Sequence, residues 1–325
     1  MGHPALSFLL CVAAAHTIAI AIYPALRRGG VSAVLTVVPG AIAIIACLFI
    51  IPPEFRIHRG IAALFCVDLF FRLIDFTRQN LSGELQPIRW SHYCRFLIPF
   101  PFLLVVFGRK DRSLRPDQRS GTDLFRVALG SIGVTLGLVL VFTAERSYTL
   151  QSSFAFDHVA KLFIFVLTVE SLAQTLCGVE RLAGFDTTPI IDRGFLARTP
   201  AEFWRRYNNR VQPWLYWNVF VPAGGRRAPI RGVWVTFLVS AIFHELAFAF
   251  ATSRFTGYQF TFFLIQVPAV IASPALDRLV LGWPVLGSTI ARTATILWIG
   301  ATSIFFFHGV DLIFPFVYTS EPWLP

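Results

Sequence analysis

An all-α, polytopic transmembrane helical bundle is the fold class this sequence predicts, and three observations predict it. Of 325 residues, 55% are hydrophobic and 14% charged, against roughly 25% charged in soluble domains. Mean hydropathy is +0.65 and phenylalanine alone supplies 34 residues. A water-soluble globule of this size cannot hide that much apolar surface. The apolar residues also fall in runs long enough to cross hydrocarbon, each needing about 20 residues. Lipid-exposed backbone must satisfy its own hydrogen bonds, so such runs are helices.

Candidate spans are 5–26, 31–52, 61–77, 96–107, 124–143, 158–179, 230–252, 257–277 and 293–316, within an expected range of about 8–10. The first resembles a signal peptide in position only. Neither Lys nor Arg precedes it, and its apolar stretch is too long for an h-region; a retained span is expected. The fourth is short and must borrow residues from 91–95 to cross. The expected organisation is one membrane domain over 1–325: a helical array to 180, a motif-bearing core at 184–255, and C-terminal spans over 257–325.

Lys+Arg exceeds Asp+Glu by 28 to 18. Only Lys110 and Lys161 are lysines, and the arginines sit between apolar runs. That placement points to membrane orientation and anionic headgroups rather than to nucleic acid. With a cytoplasmic N-terminus, eighteen basic residues face the cytoplasm, five of them between 109 and 119, and seven face the other side. Segment 181–229 is then cytoplasmic. Its Trp204, Trp214 and Trp217 alternate with Arg205, Arg206 and Arg210, a composition suited to the headgroup level of an amphipathic helix. Cys11, Cys47, Cys66, Cys94 and Cys177 show no CxxC spacing and read as small core hydrophobes.

Intramembrane ionisable residues are costly and each needs an account. Asp68, Arg72 and Asp75 share one helical face, with Asp68 and Arg72 spaced to pair. Lys161 and Glu170, nine residues apart, face opposite sides of their helix. Together these five could line the pathway of a transporter or channel, the competing function class. His16 and His308 read as packing histidines. His244 is different. It lies in an otherwise apolar helix, IRGVWVTFLVSAIFHELAFAFATSR, with Ser240 one turn before it and small residues on its side. The HEL sequence lacks the second histidine of a zinc site, so no metal is expected. Glu245 points about 100° away from His244 and is placed to hold a neighbouring helix.

FWRRYNN at 203–209 followed by SAIFHEL at 240–246 resembles the membrane-bound O-acyltransferase family, in which an Asn or His in an aromatic, arginine-rich segment precedes a histidine within a hydrophobic helix. The interval from Asn208 to His244 is 36 residues. Within that family the stretch 184–255 looks most like the wax synthase branch. Tyr207 stands where that branch has tryptophan, and Asn209 follows Asn208, with Asn208 favoured because it continues the run directly. More distantly, Trp214 and Pro222-Ala223-Gly224-Gly225 resemble the alginate and teichoic-acid acyl transferases.

The resemblance implies transfer of an acyl group from acyl-CoA to the hydroxyl of a lipophilic alcohol, giving a wax-type or other lipid ester. His244 is the implied general base and Asn208 the oxyanion donor or positioning residue. Trp204, Arg205, Arg206, Asn209, Ser240 and Glu245 are implied to line the substrate site, and Arg205, Arg206, Arg210, Arg226 and Arg227 to meet CoA phosphates. It implies no cofactor beyond acyl-CoA as co-substrate, and membrane lipids as partners. The expected location is the endoplasmic reticulum in a eukaryote or the inner membrane in a bacterium.

Overall fold

The computed structural model describes residues 3–81, 89–105, 121–321 and 323–324, so the basic residues expected between 109 and 119 lie outside the described residues. Among the described residues the regular structure is helical, and seven stretches are long and apolar enough to cross a membrane: Pro4–Arg28, Gly30–Ile50, Gly121–Ala144, Phe154–Leu182, Pro229–Thr252, Tyr258–Gly282 and Pro284–Ile313. The chain divides into two compact units, one of Met1–Asp111 with Leu246–Phe255, the other of Arg112–Glu245 with Thr256–Pro325.

In the first unit, α1 (Pro4–Ala21) and α2 (Tyr23–Arg28) each begin with proline in the first turn, where its missing N–H costs nothing. α3 (Gly30–Ala46) carries Pro39 inside it and runs into a 3-10 turn at Cys47–Ile50. α4 (Arg56–Leu81) is 26 residues long, about 39 Å, but too charged to count among the seven. Four of its charges pair within the helix, Arg72 with Asp68 and Arg78 with Asp75. Arg72 Nε donates to Asp68 Oδ2 at 2.6 Å, with both side chains buried, and Asp75 accepts from Gln79 at 2.8 Å. Cys11, Cys47 and Cys66 lie in the apolar core with Ala15, Ala19 and Leu69.

The fourth predicted span, 96–107, is corrected. α5 covers only Trp90–Leu97, and the described chain from Ile98 to Val105 is not helical. Pro99 and Pro101 disfavour helical backbone at the residues before them, and Ile98 is accordingly extended, with ψ 126°. Arg72 supports this stretch, donating to Phe96 O at 2.5 Å and Pro101 O at 3.3 Å.

In the second unit, α6 (Gly121–Ala144) packs along α8 (Phe154–Leu182), with the short α7 (Tyr148–Ser152) between them in sequence. Gly130, Gly133 and Gly137 of α6 meet Thr175, Ser171 and Thr168 of α8. Small residues permit that approach. The predicted amphipathic segment is broken into short pieces: a 3-10 turn at Gly194–Leu196, α9 (Pro200–Arg206), α10 (Gln212–Leu215), a π turn at Tyr216–Phe220 and a 3-10 turn at Gly225–Arg227. Three long helices follow: α11 (Pro229–Thr252), α12 (Tyr258–Gly282), with Pro268 and Pro274 inside it, and α13 (Pro284–Ile313).

Candidate active site

α9 begins with a reciprocal cap. Thr199 Oγ1 accepts the Glu202 amide at 3.2 Å, and Glu202 Oε2 accepts the Arg198 amide at 2.8 Å, close to the Ser/Thr-x-x-Glu pattern that starts helices. Arg206 Nη2 closes on Glu202 Oε1 at 2.7 Å. Burial raises the Glu202 carboxyl, but the Arg198 amide and the Arg206 and Arg198 guanidinium groups outweigh it, so its pKa lies below the ordinary glutamate value. Burial, with the Glu170 carboxylate nearby, pushes the Tyr207 phenol up.

This helix and the turn after it present the predicted motif. Trp204 packs among Phe237, Phe262 and Phe263, at centroid separations of 5.5, 6.0 and 5.4 Å. Its indole Nε1 is buried, and so is Asn208 Oδ1. Neither has a hydrogen-bond partner among the described residues. Asn209 is differently engaged: its backbone N–H donates to Ile190 O at 3.1 Å, and its side-chain Oδ1 accepts from Thr188 Oγ1 at 3.3 Å. Arg210 is buried in a two-point pair with Glu180, at 3.0 and 2.6 Å, and donates to Thr188 O at 2.8 Å. Arg205, Arg226 and Arg227 are exposed. Thus, of the arginines expected at CoA phosphates, Arg206 and Arg210 already hold carboxylates. At the turn before α11, Gly224 has φ +118°, and an added Cβ would meet the Arg231 guanidinium at 2.6 Å.

His244 lies fifteen residues into α11. Its Nδ1 is 2.8 Å from Ser240 O. A carbonyl only accepts, so Nδ1 carries a proton, and in the neutral ring Nε2 would present its lone pair. Among the described residues Nε2 makes no hydrogen bond. The imidazole lies over Phe263 of α12, centroids 4.0 Å apart and planes inclined by 33°. Trp204 contacts the same Phe263 ring, so the structure brings the tryptophan of the first motif and the histidine of the second around one phenylalanine. No hydrogen bond joins Asn208 to His244 among the described residues. Ser240 contributes its backbone carbonyl. Glu245 turns away: its carboxylate accepts the amides of Thr256, Gly257 and Phe260 at 3.0, 2.7 and 3.1 Å.

The other intramembrane charges have local partners. Glu170 accepts the Gly194 amide at 2.8 Å, and Lys161 donates to Phe316 O at 3.4 Å. His16 binds Val12 O, and His308 binds Ile304 O while accepting the Leu324 amide at 3.1 Å. The Glu170, Lys161 and Leu324 contacts tie separate segments together, whereas the His16–Val12 and His308–Ile304 bonds stay within one helix. Three features carried no sequence signal. Phe263 lies 19 residues beyond the histidine it packs against, the Glu180–Arg210 pair spans 30 residues, and His158, buried against the Tyr318 hydroxyl at 2.8 Å, has no recognisable motif around it.

The described fold is that of a multi-pass helical membrane protein, one of whose long apolar helices carries His244 packed on an aromatic ring. Residues 138–308 match the profile of MBOAT, the membrane-bound O-acyltransferase family, and the chain belongs to that family. Over 299 residues it is 26% identical to the Arabidopsis thaliana protein named probable long-chain-alcohol O-fatty-acyltransferase 3, covering 86% of this chain and 82% of that relative. It is 36% identical over 83 residues to diacylglycerol O-acyltransferase 1C of Glycine max, covering 25% of this chain and 16% of that one. With probable sterol O-acyltransferase 1 of Schizosaccharomyces pombe it shares 34% identity over 90 residues, covering 26% and 17%. The chain therefore spans less than a fifth of the length of these last two.

Proposed function

We propose that the protein transfers the acyl group of an acyl-CoA to the hydroxyl of a lipophilic alcohol, with His244 as general base. The observation that carries this reading is the single hydrogen bond from His244 Nδ1 to Ser240 O, which leaves Nε2 unengaged by its own helix and available as the base of a neutral imidazole. An alcohol is a weak nucleophile near neutral pH and needs such a base within reach. Nε2 takes the hydroxyl proton as the oxygen attacks the thioester carbonyl. The C–S bond then breaks, and the proton passes from the imidazolium to the departing CoA thiolate. Asn208 donates its amide N–H to the oxyanion or positions the acceptor. Asn208 is favoured over Asn209 because Asn209 is tied to Thr188 and Ile190. Trp204 shapes the apolar wall beside His244.

The relatives named for long-chain alcohols, diacylglycerol and sterols support a lipid hydroxyl as acceptor, with a long-chain alcohol first because that similarity runs along most of the chain. The arginine distribution supports a cytoplasmic N-terminus. Segment 181–229 then faces the cytosol, where CoA thioesters are found, and exposed Arg205, Arg226 and Arg227 are available to CoA phosphates.

Purified protein incubated with labelled acyl-CoA and a panel of long-chain alcohols, sterols and diacylglycerol tests the proposal. Ester and free CoA should form together. His244→Ala should abolish both while the protein still folds and inserts into the membrane, and a His244→Ala enzyme that still forms ester would remove the mechanism.

A further inference from the structure

Among the described residues of the first unit, one buried cation has no counter-ion. Arg59 is 3% exposed. Its Nη1 donates to Ser253 Oγ at 2.6 Å, and its guanidinium carbon stands 5.9 Å from the centre of the Phe49 ring. Its Nε is buried without an acceptor. Among the described residues no carboxylate pairs with it, and Glu54, the acid nearest in sequence, is exposed. The other buried arginines behave differently, since Arg72 has Asp68 and Arg210 has Glu180. A guanidinium out of water is strongly disfavoured unless an anion meets it.

Two further features converge there. Arg59 sits in the first turn of α4, beside Arg56 and His58 and with no acidic residue. The helix dipole disfavours cations at that end and favours an anion there. Ser253, which holds the guanidinium, has φ +56°, a left-handed conformation that a non-glycine residue seldom adopts outside constrained sites. Around this point the surface is apolar: Phe49, Ile50, Ile57 and Ile61 are all exposed. Phe250 of α11 packs edge-on against Phe49 at 5.8 Å, so the Ile50 and Thr252 helix ends lie close to the start of α4.

We propose that Arg59, oriented by Ser253 at the positive end of α4, binds the phosphate of a membrane phospholipid whose chains lie along Phe49, Ile50 and Ile61. A phosphate supplies the missing anion and suits the guanidinium fork, and the exposed apolar side chains favour a lipid over a free ion. This site is separate from the acyl-transfer chemistry and does not depend on it.

Native mass spectrometry of the delipidated full-length protein in detergent, titrated with phosphatidylglycerol, tests the site. Galactosyl diacylglycerol with the same acyl chains is the phosphate-free control, and inorganic phosphate is the soluble competitor. Wild type should take up one phosphatidylglycerol at least tenfold more tightly than Arg59→Gln and than it takes up the galactolipid, with no displacement by inorganic phosphate. Arg59→Lys, which keeps the charge and loses the fork, should bind with intermediate strength, and Ser253→Gly several-fold more weakly than wild type. These two variants carry the test if Arg59→Gln does not fold. Equal phosphatidylglycerol affinity in wild type and the Arg59 variants would overturn the site, as would equal binding of the galactolipid. Displacement by inorganic phosphate would overturn the lipid source.

Discussion

Glu245 Oε1 accepts the Gly257 amide at 2.7 Å, so the acid that follows the proposed base caps the start of α12. That helix carries Phe263, the ring beneath His244. Glu245→Ala leaves the amides of Thr256, Gly257 and Phe260 without their acceptor and should destabilise the protein by about 2–3 kcal/mol. Glu245→Gln retains one carbonyl oxygen and should recover part of that. Thermal unfolding in detergent measures both, and an alanine variant as stable as wild type would exclude the capping role.

The two asparagines should separate cleanly. Asn208→Ala should lower kcat by ~10²–10³-fold if its amide meets the oxyanion, with little change in stability. Asn209→Ala removes the Thr188 contact and should cost about 1 kcal/mol while leaving kcat within a few-fold. Steady-state kinetics beside unfolding curves decide the matter, and a reversed pattern would assign Asn209 to the chemistry.

The Glu180–Arg210 pair anchors the turn after the motif to α8, with each side chain 1% exposed. Glu180→Ala strands the guanidinium and should cost about 3–5 kcal/mol. Replacing both partners with Leu and Met should cost much less, because no buried charge then remains. If the single and double variants unfold at the same temperature, the pair is not what fixes this turn.

Gly130 is fixed by geometry. A Cβ there would lie 2.7 Å from Ser171 O and 2.9 Å from Thr175 N, both backbone atoms of α8, which cannot rotate aside. Gly130→Leu should destabilise by roughly 1–3 kcal/mol or more and lower the yield of monodisperse protein. Gly121→Ala, at a position with open space around it, should be neutral. Size-exclusion profiles of the two variants provide the comparison.

Acid should weaken the start of α9. The folded-state pKa of Glu202 lies below its ordinary value, so its contribution is complete above an unfolded-state value of about 4.3 and is lost as pH falls through the lower folded value. Glu202→Gln should flatten the fall in unfolding temperature below about pH 4 relative to wild type. Parallel acid limbs would show that other carboxylates govern it.

Much of this architecture is legible in the sequence because a membrane enforces simple rules. Long apolar runs must be helices, and α6, α8, α11 and α12 lie within five residues of their predicted limits, whereas α13 starts nine residues before the predicted 293. The same rules explain the failure at 96–107. The run is apolar, but Pro99 and Pro101 break the helix, and the distant Arg72 supplies the hydrogen bonds that make the break tolerable. At the candidate site, the His244 helix and the Trp204 segment could be singled out from composition and order. The partnership around Phe263 could not, because it depends on how three helices meet. Arg210 is legible as a cation and illegible as a partner, since charge type says nothing about a carboxylate 30 residues away, whereas the Glu202–Arg206 pair has the spacing of one helical turn.

Arg72 carries one last consequence. Its guanidinium binds one carboxylate and two main-chain oxygens on either side of a kinked passage. A lysine at that position would keep the charge but offers a single point where three separate acceptors must be reached. The bend from Leu97 to Pro101 therefore depends on the breadth of one flat side chain, and tolerance to substitution there should follow shape more closely than sign.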